Sequence, residues 1–119
     1  MNIYESAEDY LETLLILSKK QPQVISKDIV QETGYSKPSI SIAMKKLREK
    51  NLVEFDANNN IFLTDEGKKI AENIYEKHLT LTKFFKKLGV SDENATEDAC
   101  RMEHFISDES YEKIKEWTK

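Results

Sequence analysis

SKDIVQETGYSKPSISIAMKKLREK, residues 26–50, reads as two helices joined by a tight turn. Ser26 is a natural N-cap for a short helix through Thr33, and Gly34 supplies a left-handed exit conformation at no steric cost. Ser36 caps a second helix with Pro38 in its first turn, where the missing N–H would be unsatisfied anyway. Ile40, Met44 and Leu47 give that helix one narrow apolar stripe. From Ser36 to Lys50, Lys37, Lys45, Lys46, Arg48 and Lys50 stand against Glu49 alone, so the rest of that helix's surface is cationic.

Upstream, Ser6 caps a predicted helix to about Lys19, with Ala7, Leu11, Leu14, Leu15 and Ser18 at helical spacing and Gln21-Pro22-Gln23 ending it. Downstream of Asn51 the period changes from helical to alternating. Residues 52–55 (LVEF) and 61–64 (IFLT) are strand-like, and residues 57–60 (ANNN) suit a hairpin turn between them. Thr64 then caps a long helix to about Leu88, stopped by Gly89. Ser91 opens an acidic helix to about Phe105, and Ser107 caps a last one through Trp117. Three helices, a hairpin and three more helices predict a mainly α fold, divided into residues 1–64 and 65–119.

The 119 residues suffice for one modest core, and charged residues at 34% with only 3 Gly and 2 Pro favour a helix-rich globular chain over a turn-rich β-sandwich. No apolar run approaches the roughly 18 residues of a membrane span. A start without basic flank or apolar core, and a single cysteine, Cys100, lead to the expectation of a reducing, cytoplasmic setting. The net charge of −4 conceals an asymmetry, because residues 91–112 carry eight carboxylates against Arg101 alone. That pattern fits one face for polyanions and one end for cations, and equally two solvated surfaces.

Short helix, glycine turn, second helix and hairpin form the plan of a winged helix-turn-helix, whose second helix enters the major groove of double-stranded DNA. Ser36, Lys37, Pro38, Ser39, Ser41 and Ile42 would face base edges, the hydroxyls as hydrogen-bonding groups and Pro38 and Ile42 as apolar surface for a thymine methyl. Lys45, Lys46 and Arg48, further along, suit phosphates, and Ser26 and Lys27 at the start of the preceding helix join the DNA-facing set. A helical hairpin in a protein-binding module is the competing reading; the hairpin directly after a basic helix favours DNA.

Cys100, Glu103 and His104 occupy i, i+3 and i+4, an arc of about 100° on one helix, so their side chains can converge. Asp9 and Glu12 share a face of the first helix. His78 interrupts the apolar stripe Ile70, Ile74, Leu81, Phe85 and Leu88 of the long helix. Each has a second explanation: Asp9 as partner of Ser6 in a capping box, His78 as a hydrogen-bonded core histidine, Cys100 as a small buried hydrophobe, Glu103 and His104 as an acidic surface.

Residues 99–104 (ACRMEH), 75–78 (YEKH), 34–41 (GYSKPSIS) and 63–67 (LTDEG) together resemble the diphtheria-toxin-repressor family of iron- and manganese-dependent repressors. The resemblance covers nearly the whole chain, in a short form without an SH3-like domain, close to the manganese transport regulators. It implies a winged-helix domain followed by a helical dimerisation domain, with a divalent metal between them switching on binding to an inverted-repeat operator as a homodimer. It implies no enzyme activity, no membrane and no small-molecule substrate. By position, Asp9, Glu12, His78, Cys100, Glu103 and His104 match the family's metal ligands. Asp9 and Glu12 look like the manganese branch, which has glutamate in place of Cys100. Cys100 looks like the iron branch, which has methionine in place of Asp9. Thr82 and Thr96 stand where the iron branch's ancillary site has its ligands, and Ile42 stands where that branch has a base-reading glutamine. Carboxylates and imidazoles suit Fe(II) or Mn(II); the thiolate shifts preference towards iron and, in vitro, Zn(II), Co(II) or Ni(II). A winged-helix regulator answering to an organic effector is the alternative, and a metalloenzyme a more distant one.

Overall fold

The computed structural model describes residues 7–119, in the order α1 (Ala7–Lys20), α2 (Ser26–Thr33), α3 (Lys37–Glu49), β1 (Val53–Phe55), β2 (Ile61–Leu63), α4 (Asp65–Lys87), α5 (Asp92–Met102) and α6 (Asp108–Thr118). The expected cap Ser6 lies outside the described residues. The chain forms two compact units, meeting in sequence between Glu72 and Asn73, within α4.

In the first unit α1, α2 and α3 enclose an apolar centre closed by the hairpin. Tyr10, Leu11 and Leu14 from α1, Ile29 from α2 and Ile40 and Met44 from α3 are all at most 3% exposed. Burying each of these larger aliphatic side chains contributes about 1.5–3 kcal/mol. The strands pair antiparallel with Val53 opposite Leu63 and Phe55 opposite Ile61. The pairing continues into the Thr64 N–H, which donates to the Leu52 carbonyl at 3.1 Å, and the Ile61 N–H donates to Val24 at 2.7 Å, fastening the hairpin to the α1–α2 connection. Thr64 caps α4 as expected, accepting from the Gly67 N–H at 3.1 Å. Gly67 is required by close approach: a Cβ there would sit 2.1 Å from the Leu52 carbonyl oxygen.

One cap differs from expectation. Ile25, not Ser26, holds the N-cap position of α2, because the Asp28 carboxylate accepts the Ile25 N–H at 2.9 Å and makes Ser26 the first helical residue. Gly34 ends α2 at φ 75°, and the Ser36 hydroxyl caps α3 by accepting from the Ser39 N–H.

The second unit packs the later turns of α4 with α5 and α6 around Ile74, Leu81, Ala95, Ala99 and Tyr111. Gly89 turns the chain at φ 98°, and Ser91 and Ser107 cap α5 and α6. Phe84 meets Trp117 edge to face at 5.4 Å between centroids, and the Lys87 ammonium donates to the Thr118 carbonyl at 3.2 Å. α5 ends at Met102 and not near Phe105: the N–H groups of both Phe105 and Ile106 return to the Met102 carbonyl, which tightens the chain into a turn. Among the described residues no helix is long and apolar enough to cross a membrane.

Candidate nucleic-acid interface and metal centre

The core stripe Ile40, Met44 and Leu47 anchors α3 by one side, and everything opposite faces solvent. Ser36, Lys37, Pro38, Ser41, Ile42, Lys45 and Lys46 are exposed, and Ser39 is half-buried beside its capping partner Ser36. Ile42 is 57% exposed, an apolar side chain held in water on a cationic face. On α2, Lys27 is exposed and Ser26 half-buried. The charges on this unit are distributed unevenly. Lys20 pairs with Glu32, whereas none of Lys27, Lys37, Lys45, Lys46 or Lys50 forms an ion pair with any described carboxylate. Five cations left facing water, in a chain of net charge −4, concentrate positive potential around α3. Arg48 is exposed and its guanidinium lies over the Phe55 ring at 5.7 Å.

The wing itself is uncharged at its tip. Asp56 accepts hydrogen bonds from the N–H groups of Asn58 and Asn60, each at 2.9 Å, and from the Asn60 side-chain amide, also at 2.9 Å. These bonds, the Asn60 amide first, hold the Asp56 carboxyl below its ordinary range. Asn59 takes the left-handed conformation at φ 63°, which asparagine tolerates better than most residues.

The expected metal ligands fall on both units. In the second, His78 of α4 and Glu103 at the end of α5 meet, Nδ1 to Oε2, at 2.9 Å. His104 brings its Nε2 to 3.5 Å from the other oxygen of the same carboxylate. Glu103 is 1% exposed, so each oxygen of a buried carboxylate faces an imidazole nitrogen. Two ligand atoms about 2.1 Å from one ion and at right angles stand about 3 Å apart, so this spacing fits a shared divalent cation. Cys100, one turn earlier on α5, is half-buried. His104 belongs to the turn after α5 and not to its helical face, which is how it reaches Glu103 from the far side.

In the first unit Asp9 and Glu12 are buried on α1, at 9% and 7% exposure. The Tyr35 hydroxyl, just after the α2–α3 turn, donates to Asp9 Oδ2 at 3.0 Å. Tyr35 was not among the expected site residues, and no periodicity or spacing links it to a residue 26 positions away. Its ring also packs edge to face on Tyr10 at 5.7 Å between centroids.

Residues 2–60 match the family described as iron dependent repressor, N-terminal DNA binding domain, and residues 64–119 match iron dependent repressor, metal binding and dimerisation domain. The chain is 32% identical over 114 residues to the transcriptional regulator MntR of Escherichia coli O6:H1, covering 96% of this chain and 74% of that one. It is 34% identical over 113 residues to an HTH-type transcriptional regulator of Methanocaldococcus jannaschii, covering 93% and 90%. A solved manganese-dependent transcriptional repressor in complex with manganese superposes with a TM-score of 0.87 at 27% identity, over 95% of this chain and 52% of that chain. The chain thus spans about half the length of that solved relative. These relatives are described as transcriptional regulators or repressors. A winged helix-turn-helix with a cationic outer face, a helical unit holding a histidine–carboxylate cluster, and two family matches in the same order lead to one conclusion: the chain belongs to the iron-dependent repressor family.

Proposed function

We propose that the protein is a cytoplasmic, metal-activated transcriptional repressor that binds an inverted-repeat DNA operator as a homodimer and controls iron or manganese homeostasis. The observation that carries this reading is the cationic face of α3, whose lysines pair with no described carboxylate in an acidic chain. Such a surface suits a polyphosphate backbone, and counterion release would supply most of the non-specific affinity. Residues 1–64 are assigned to DNA contact and residues 65–119 to metal binding and dimerisation.

His78, Cys100, Glu103 and His104 are the metal ligands proposed in the second unit, and Asp9 and Glu12 of α1 are those that the family resemblance implies in the first. The chemistry is that of a hard-to-borderline divalent ion: imidazole nitrogen and carboxylate oxygen suit Fe(II) and Mn(II), and a thiolate among them moves preference towards Fe(II). A carboxylate and a thiolate held close without a cation repel one another, and a bound ion would remove that repulsion.

Gel-shift or anisotropy titration of the full chain on a selected operator, with Mn(II), anaerobic Fe(II) or chelator, tests the reading. Binding should need metal and be lost on chelation. Undiminished binding in chelator would instead support regulation by an organic effector.

A further inference from the structure

The three rows of side chains around α3 have different surroundings, and these separate two lysines that adjoin in sequence. At 100° per residue, Ser39, Ala43, Lys46 and Lys50 fall within an arc of about 60°, and Lys37 lies about 150° from its middle. Both positions border troughs. One, of about 330 Å³, runs along α1 and α3 and is bordered by Tyr10, Ser39, Lys46 and Lys50. The other, of about 610 Å³, lies where α2 and α3 begin beside the wing, and is bordered by Ser26, Lys27, Lys37, Asn58 and Asn59 over an apolar floor that includes Phe55. Among the described residues each trough has two lysines, at least one hydroxyl and no carboxylate in its lining.

Between the troughs lie Pro38, Ser41 and Lys45, with Ile42 on the edge of the first trough, all exposed and within an arc of about 100°. A helix about 10–12 Å across fills a major groove about 12 Å wide, so the two sugar–phosphate strands must pass on its flanks while its outward arc meets the bases. The troughs suit those strands: cations and hydroxyls for phosphate oxygens, an apolar floor for deoxyribose.

We propose that Lys45 is a base-reading, specificity-determining residue, and that Lys46 and Lys50 hold one phosphate strand while Lys27, Lys37, Asn58 and Asn59 hold the other. Lys45 thus takes a different role from the phosphate contact expected of it and of its neighbour Lys46. An ammonium in the centre of the major groove finds its acceptors on guanine, at O6 and N7. The wing holds its strand with neutral amides, so it adds hydrogen bonds but no counterion release. This assignment rests on the DNA-binding reading above.

The test is selection from a random double-stranded DNA library with the full chain under saturating Mn(II), using wild type, Lys45→Ala and Lys50→Ala. Lys45→Ala should lose the preference for a guanine within each half-site. Replacing that guanine by 7-deazaguanine should weaken wild type about tenfold and leave Lys45→Ala unaffected. Lys50→Ala should weaken every sequence alike and lower the salt slope by about one. The assignment is overturned if Lys45→Ala keeps the wild-type sequence preference and loses one unit of salt slope, because Lys45 is then a phosphate contact. Absence of binding to any sequence with any metal would overturn the DNA-binding reading itself, and this assignment with it.

Discussion

His78 Nδ1 and Glu103 Oε2 stand 2.9 Å apart, although 25 residues separate them in the chain. One imidazole on α4 and one carboxylate at the end of α5 are thereby joined at a buried point that His104 approaches from the other carboxylate oxygen. A metal ion recruited there would replace the hydrogen bond between His78 and Glu103.

Removing one donor should therefore weaken metal binding without unfolding the chain. Glu103→Gln and His104→Ala are expected to lower affinity for Mn(II) and anaerobic Fe(II) at least tenfold, and to abolish metal-dependent DNA binding. Calorimetric titration measures the first and circular dichroism the fold. Wild-type affinity in both variants would remove these residues from the proposed site.

Cys100 is the residue proposed to set the metal selectivity. If its thiolate is a ligand, Co(II) loading should produce sulfur-to-metal charge-transfer absorption in the near ultraviolet, absent in Cys100→Ser. Cys100→Glu should raise the response to Mn(II) relative to Fe(II). An unchanged metal ranking in Cys100→Glu would mean that the cysteine only packs.

Two glycines should respond differently to alanine. At Gly67 the added Cβ would meet the Leu52 carbonyl oxygen, a backbone atom that cannot swing aside. Gly67→Ala should cost at least about 2 kcal/mol. At Gly34 the φ of 75° is strained for alanine, but no atom lies within 4 Å of the Cβ position. Gly34→Ala should cost only about 1 kcal/mol. Urea denaturation followed by far-ultraviolet circular dichroism compares them, and equal costs would contradict the packing of α4 onto Leu52.

The wing should be acid-sensitive through Asp56, whose carboxyl is held below its ordinary value of 3.8 by Asn60 and Asn58. Because the folded value is the lower one, its stabilisation is present above the ordinary range and is lost as pH falls through the folded value. Asp56→Ala should lower the melting temperature at pH 7 and have a smaller effect near pH 2. Amide exchange of Asn58 and Asn60 should quicken in that variant at neutral pH. Unchanged exchange rates would show that the carboxylate does not hold the turn.

Much of the framework is local and was therefore readable in order along the chain. Ser36, Thr64, Ser91 and Ser107 cap helices because a hydroxyl near the first free N–H groups acts within three residues. Gly34 and Gly89 end helices because only their own backbone angles matter. The apolar stripe of α3 predicted its buried side for the same reason. The departures are also local, but turn on competition: Asp28 takes the Ile25 N–H and displaces Ser26 from the cap, and the Met102 carbonyl draws in two N–H groups and ends α5 early.

The candidate site residues divide along the same line. Spacing alone put Asp9 with Glu12, and Cys100 with Glu103 and His104, on shared helical faces, since a helix repeats every 3.6 residues wherever it lies, but α5 ends at Met102 and leaves His104 in the following turn. Spacing has no term for separate elements meeting, so the contact of His78 with Glu103, the Tyr35 hydroxyl on Asp9 and the guanidinium of Arg48 over Phe55 came only with the packed chain. The same holds for Lys45 and Lys46. As letters they are identical neighbours and both are exposed, but 100° of helical rotation sets Lys46, and not Lys45, beside the trough shared with α1, and only the packing of α1 and the wing against α3 makes that rotation a difference in chemistry.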